Sequence, residues 1–269
     1  MSNCPMSPPR REKMQVKNES MEAVGVTDMG RVRSENQDAI YLDPSGTFLL
    51  VADGMGGHER GAEAANRTVE IIQSHLQPEV VISELGNITE GSGVPPEIVC
   101  LTSLIDDAVR NANDTLFSIN QAESLTRYMG TTVVGLIFAG NHHILWFHIG
   151  DSRLYRWRRG ELAQLTADHS ARKEWERTGR QGNAPNKNII TRAIGPAAGV
   201  TAETAWEASR RRDVYILCSD GLSDMVSTDQ MIRILSENDA MDKIANRLVD
   251  SANEAGGKDN ASVVICRIL

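Results

Sequence analysis

No apolar stretch among the 269 residues approaches the roughly 18 needed to cross a membrane as a helix. The N-terminal "MSNCPMSPPRREK" has no apolar h-region, so a signal peptide is not expected either. Cysteine is scarce: Cys4, Cys100, Cys218 and Cys266 show no metal-ligand spacing. Cys218 and Cys266 sit inside apolar runs and read as small buried hydrophobes, which fits a reduced, cytoplasmic setting. A dense Lys/Arg stripe is also lacking, and the net charge is −8. That excludes a nucleic-acid binder, whose affinity rests on neutralising phosphates. The same acidity would oppose a phosphorylated substrate unless cations were recruited locally.

The material for a folded core is ample, with 41% apolar and 24% charged residues. Residues 1 to about 20 are polar and rich in proline and charge, and are expected to form a disordered tail. Strands are expected at 22–27, 38–42 and 47–52. From Arg60 the period changes, and Ala62, Ala65, Val69, Ile72 and Leu76 mark an amphipathic helix ending near Pro78. Residues 83–97 read as a loop, and Ile98 to Leu116 as a second helix. "TTVVGLIFA", "HILWFHI" and "SRLYRW" read as strands joined by tight turns. A polar excursion covers 170–188. The strand "DVYILCSD", helices near 228–237 and 240–255, and the strand "ASVVICRIL" complete the chain. Strands adjoin strands and helices adjoin helices, so the fold class is α+β, with no break that demands two domains.

One pattern recurs. "FLLVADG" runs an apolar strand into Asp53-Gly54, and "VYILCSDG" does the same at Asp220-Gly221. "FHIGD" ends a strand at Asp151, "GKDNASVV" sets Asp259 just before one, and Asp38 begins "DAIYL". Each is a turn when taken alone, because Asp-Gly is a common turn dipeptide. Together they place carboxylates at strand ends, which gather on one edge of a sheet-based core. Converging carboxylates repel, and their remedies are raised pKa values or divalent cations. Hard cations such as Mg²⁺ and Mn²⁺ take oxygen ligands, and a glycine after the carboxylate frees its carbonyl to join them.

In this order, "TDMGRVRSENQDAIY" (27–41), "VADGMGGHERGAEAA" (51–65), "MGTTVV" (129–134), "HIGDSRLYRW" (148–157), "LTADHS" (165–170), "NIITRAIG" (188–195), "LCSDGLSDMV" (217–226) and "GGKDNASVVI" (256–265) resemble the metal-dependent protein phosphatases, type 2C, in their bacterial form. The resemblance implies a single phosphatase domain over 21–269. It also implies a four-layer α-β-β-α sandwich, with two antiparallel sheets flanked by antiparallel helix pairs and a binuclear Mn²⁺/Mg²⁺ site at one end. By position, Asp53 bridges the metals with the Gly54 carbonyl beside it, Asp220 and Asp259 complete the first metal, and Asp38 serves the second. Asp151 matches the ligand of a weaker third metal, shared with Asp220 and Asp224. Arg33 matches the arginine that holds the substrate phosphate, and His58 a proton donor to the leaving group. Gln37 stands where the family often has Glu, which removes one negative charge near the second metal.

The activity implied is hydrolysis of phosphoserine and phosphothreonine in proteins by a metal-activated water, opposing a cognate Ser/Thr kinase. A monomer that binds neither nucleic acid nor membrane is expected. The rival reading is a pseudophosphatase scaffold that binds a partner without catalysis. Retention of Asp53, Asp220, Asp259 and Arg33 counts against it.

Overall fold

A period of two, hidden inside continuous apolar runs, sets the architecture. The computed structural model describes residues 10–56, 60–85, 93–123, 127–140, 142–237 and 239–269. One sheet runs β1 (Arg11–Lys17), β2 (Met21–Asp28), β12 (Ala261–Ile268), β11 (Val214–Cys218), β8 (Arg153–Arg158) and β9 (Glu161–Gln164). The other runs β10 (Glu203–Ala208), β7 (His143–Ile149), β6 (Val133–Phe138), β4 (Phe48–Met55) and β3 (Asp38–Leu42), with the short β5 (Gly130–Thr131) paired to β4. Neighbouring strands are antiparallel in both sheets.

Helices α1 (Arg60–His75), α2 (Pro78–Leu85) and α3 (Pro96–Ala122) lie on the side of the second sheet. Helices α6 (Thr228–Ser236) and α7 (Met241–Glu254) cover the first, while the short α4 (Ala171–Arg177) and α5 (Asp220–Ser223) sit near the strand ends. The layers read directly off the strands. On β4, Phe48, Leu50 and Ala52 join the core under α1 and α3, while Leu49 and Val51 face the other sheet. On β11, Val214, Ile216 and Cys218 pack under α6 and α7, and Tyr215 and Leu217 turn inward. Both faces of each sheet are therefore buried, which is why these strands carry no polar alternation. The result is the four-layer sandwich expected from the sequence.

Several expectations change. The tail expected through residue 20 gives way to β1 over 11–17, an edge strand in register with β2 from Arg11↔Asp28 to Lys17↔Glu22. A mostly exposed strand has no apolar signature, and its stability comes from one partner only. β10 is missed for the same reason, since it is an exposed edge beside β7. Pro78 begins α2 instead of closing the region, a position where its missing N–H costs nothing. Part of the loop expected at 83–97 lies outside the described residues. The excursion at 170–188 contains α4, capped by Ser170, whose hydroxyl accepts from the Lys173 N–H.

The turn after "FHIGD" is not a hairpin. β7 belongs to one sheet and β8 to the other, so Gly150-Asp151 carries the chain across the sandwich. Gly150 has φ of 100°, and a Cβ there would lie 2.5 Å from Thr132 Cγ2, so no other residue fits.

Candidate metal centre and substrate groove

Strand ends from both sheets meet at one end of the sandwich, and their carboxylates meet with them. Asp38 opens β3 directly opposite Asp53 on β4. Facing like charges destabilise a strand pair, so this register needs compensation. Part of it crosses the sandwich. Asp38 Oδ2 accepts from Ser219 Oγ at 2.8 Å and Ser262 Oγ at 2.6 Å, both in the opposite sheet's segments. Even so, burial, reinforced by the carboxylates of Asp220 and Asp259, pushes the Asp38 carboxyl up to about 7.

Asp53 is held by its backbone. Its N–H reaches Thr132 Oγ1 at 3.2 Å, and its carbonyl accepts from the Thr132 N–H and Thr131 Oγ1, each at 2.9 Å. Burial and then Asp38 and Asp220 raise its carboxyl well above the ordinary range. Gly54 follows because nothing larger fits: a Cβ there would lie 2.0 Å from the Gly61 carbonyl oxygen. Asp220, at the start of α5, is also raised, by burial first and then by Asp259 and Asp224. Asp259 accepts from Arg33 Nη2 at 2.7 Å.

Asp151 sits at the sheet crossing, only 7% exposed, and its Oδ1 is buried without a hydrogen-bond partner. Burial and then Asp220 and Asp168 push it up to about 7. It shares a cavity of about 210 Å³ with Asp220, Asp224 and Lys187. The Lys187 ammonium pairs with Asp224 at 2.7 Å, so the polar excursion lends a cation to this edge of the cluster. Asp220 also lines the neighbouring groove of about 1510 Å³, together with Arg33, Gln37, Asp53, Gly54 and Asp259.

Every metal-ligating residue expected from the sequence is thus at this end of the molecule, and Arg33 is beside them. His58 lies outside the described residues. Gln37 lies against α1, where a Cβ on Gly61 would come within 2.6 Å of its Oε1, and its amide donates to Glu35.

Two supporting residues escaped the sequence reading. Asn260 accepts from the Gln37 N–H at 2.9 Å and donates to the carbonyls of Met29 (3.0 Å) and Glu35 (2.9 Å). It thereby clamps the 29–37 loop, which carries Arg33, against the strand start that carries Asp259. Asp28 takes the Gly30 N–H at 2.8 Å and Arg11 Nε at 2.8 Å. Burial would raise its carboxyl, but these bonds and that of Asn253 hold it below the usual range. The only available signal was position: Asn260 adjoins Asp259, and Asp28 precedes a glycine turn.

A second cluster lies nearby. Ligand atoms of His148, His169 and Glu203 all fall within 4.8 Å of one another, and the aspartates form no such closed triplet among the described residues. The hydrogen bonds argue against a metal on the histidines. His169 Nδ1 accepts from the Gly150 N–H at 3.1 Å, which leaves the proton on Nε2, 3.2 Å from Glu203 Oε1. His148 Nε2 donates to the Ala167 carbonyl at 3.0 Å. Both nitrogens facing the cluster carry protons, so this group anchors the Gly150-Asp151 turn.

The aspartate cluster has the opposite character. It offers only oxygen donors, its carboxylates crowd one another in a partly buried site, and the buried Asp151 Oδ1 has no hydrogen-bond partner. Such a donor set fits hard dications that keep part of their water, so ligands need not close into a cage.

A family model described as Protein phosphatase 2C matches residues 30–260. The serine/threonine protein phosphatase PstP of Mycobacterium tuberculosis is 35% identical over 90% of this chain and 44% of its own length. The chain therefore spans less than half of that relative. The serine/threonine phosphatase stp of Listeria monocytogenes is 30% identical over 89% of this chain and 92% of that protein. Among solved structures, the catalytic domain of PstP in complex with 2 manganese ions is 32% identical, with a TM-score of 0.74, over 93% of this chain and 99% of that one. The chain belongs to the protein phosphatase 2C family, metal-dependent enzymes that hydrolyse phosphoserine and phosphothreonine esters.

Proposed function

We propose that this chain removes phosphate from phosphoserine and phosphothreonine in proteins, with two Mn²⁺ or Mg²⁺ ions held by Asp38, Asp53, Asp220, Asp259 and the Gly54 carbonyl. The observation that carries the reading is the convergence of half-buried Asp53, Asp220 and Asp259 on the groove, with buried Asp38 beside them. The carboxyls of Asp38, Asp53 and Asp220 are raised by desolvation and by neighbouring carboxylates. The orphaned Asp151 Oδ1 beside Asp220 supports a weaker third ion at that edge. Such ions, when bound, supply Lewis-acid polarisation of the phosphoryl group and acidify water. The chain's own residues do the rest. Arg33, half exposed at the groove, offers a fork of donors matched to phosphate oxygens. Asn260, Thr131 and Thr132 hold the loop and strand that carry Arg33 and Asp53. The groove admits a segment of polypeptide beside the phosphorylated side chain.

The natural substrates in this reading are products of a Ser/Thr kinase, the kinase itself among them, and the enzyme acts as a monomer. No helix among the described residues is long and apolar enough to cross a membrane. Cys100, Cys218 and Cys266 are buried and unpaired, which supports a reduced, cytoplasmic setting. The test is phosphate release from phosphothreonine and phosphoserine peptides with Mn²⁺, then with a chelator in excess. Release that the chelator stops, and that Mn²⁺ restores, is expected. Binding of the peptides without release under any metal would favour the scaffold.

A further inference from the structure

We infer that the groove selects phosphoproteins with acidic residues flanking the phosphorylated serine or threonine. This rests on the phosphatase reading and names its preferred substrate class. Overall the chain is acidic, with 36 Asp and Glu against 28 Lys and Arg. Beyond the aspartates of its floor, the groove reverses that balance. Its charged walls are Arg110 and Asp114 of α3, Arg127 after that helix, and Arg192 in the segment leading to β10.

These arginines are loosely committed. Arg110 pairs with Asp107 on its own helix, both of them more than half exposed. Arg192 pairs with Glu203 at 3.2 Å, each nearly half exposed, and its Nη1 also lies 3.3 Å from His169 Nε2, so it is the most tied of the three. Exposed pairs of this kind are weak enough to exchange for a ligand carboxylate. Arg127 enters no ion pair with a described carboxylate. A guanidinium is also the cation best shaped to grip a carboxylate through two parallel bonds.

Size points the same way. The groove holds about 1510 Å³, beyond the roughly 300–1,000 Å³ of pockets that enclose small molecules. It is continuous from Arg33 and the aspartates to the outer arginines, so a peptide anchored by its phosphate lies along them. Acidic flanks would meet Arg110, Arg127 and Arg192. Basic flanks would meet repulsion there.

The experiment uses the full chain with Mn²⁺ and four phosphothreonine peptides of equal length. Their flanks are neutral, Glu-rich, Lys-rich, or neutral with one added phosphoserine. We expect kcat/KM to fall in the order Glu-rich, neutral, Lys-rich, with the difference carried by KM. About a three- to fivefold gap for each partly exposed pair gained is the scale to look for. The gap should shrink as salt is raised, and it should collapse in the double variant Arg127→Gln, Arg192→Gln. Arg67→Gln makes the same kind of charge change on α1, where Arg67 pairs with Glu63 outside the groove, and should keep the gap. Equal kcat/KM for Glu-rich and neutral peptides, or a gap that survives the double variant, would overturn the inference. So would a gain from the added phosphoserine with none from glutamate. Hydrolysis of the neutral peptide stands apart: if it fails altogether, the phosphatase reading fails and not merely this preference.

Discussion

The aspartate cluster should make the metal-free protein less stable as pH rises, and replacing one carboxylate should relieve that. Asp38 is the clearest case, since it is only 8% exposed and its carboxyl stands at about 7 against an ordinary 3.8. Below pH 3.8 both folded and unfolded chains are protonated there, and the site carries no penalty. Between 3.8 and 7 the unfolded chain releases the proton while the folded chain keeps it, so stability falls with rising pH. Above 7 the penalty is complete, about 4 kcal/mol at about 1.4 kcal/mol per pH unit. Of this, about 3 kcal/mol falls between pH 5 and pH 8. For a domain of this size that is a fall in Tm of about 6–12 °C. His169 works in the opposite direction, because burial and then His148 lower its pKa and it gains as pH rises. The comparison is therefore wild type against Asp38→Asn, both in chelator, by thermal unfolding at pH 5 and pH 8. An asparagine oxygen still accepts from Ser219 and Ser262. The variant should lose less stability across the interval, and Mn²⁺ at pH 8 should raise the Tm of wild type more than that of the variant. Parallel pH profiles for the two proteins would mean that Asp38 does not carry this penalty.

Arg33→Ala should raise KM for phosphopeptides about tenfold with a smaller loss of kcat, because charge-assisted bonds to phosphate act in ground and transition states alike. A collapsed kcat at unchanged KM would contradict that role. Asn260→Ala removes the side chain that bonds the Gln37 N–H and the Met29 and Glu35 carbonyls. It should cost about 1–3 kcal/mol in denaturant unfolding, and a neutral result would mean the clamp is dispensable. Lys187→Ala removes the ion pair to Asp224. Hydrogen exchange over 178–188 should then quicken several-fold while the strands at 133–138 and 143–149 stay slow. Unchanged exchange over 178–188 would show that the pair does not hold the excursion.

Much of the sandwich was legible because its central strands are buried on both faces. Runs such as "FLLVA" and "VYILC" could not be solvent-facing, and Asp-Gly marked where each one reached the end of the sandwich. The edges were not legible. β1 and β10 are polar strands that gain hydrogen bonds from one neighbour and little burial, so residues 11–17 read as tail and 203–208 carried no strand signal. Nor did local pattern reveal the crossing at Gly150, since a hairpin and a change of sheet use the same turn dipeptide. At the site, the aspartates were visible through repetition and resemblance. Asn260 and Asp28 were not, because their partners are backbone groups and distant side chains brought near only by folding. His58 remains an assignment from sequence, its position lying outside the described residues.

The proposed metal centre depends on Asp53 as a ligand, set opposite Asp38 by strand register and near Asp220 by the meeting of the sheets. The most direct measurement is phosphate release from a phosphothreonine peptide by Asp53→Asn beside wild type, at saturating Mn²⁺ and with both proteins folded by circular dichroism. Loss of one proposed metal ligand should lower kcat at least about a hundredfold, or ~2.7 kcal/mol of barrier. A variant that keeps more than about a tenth of wild-type kcat, a loss below ~1.4 kcal/mol, would contradict the account.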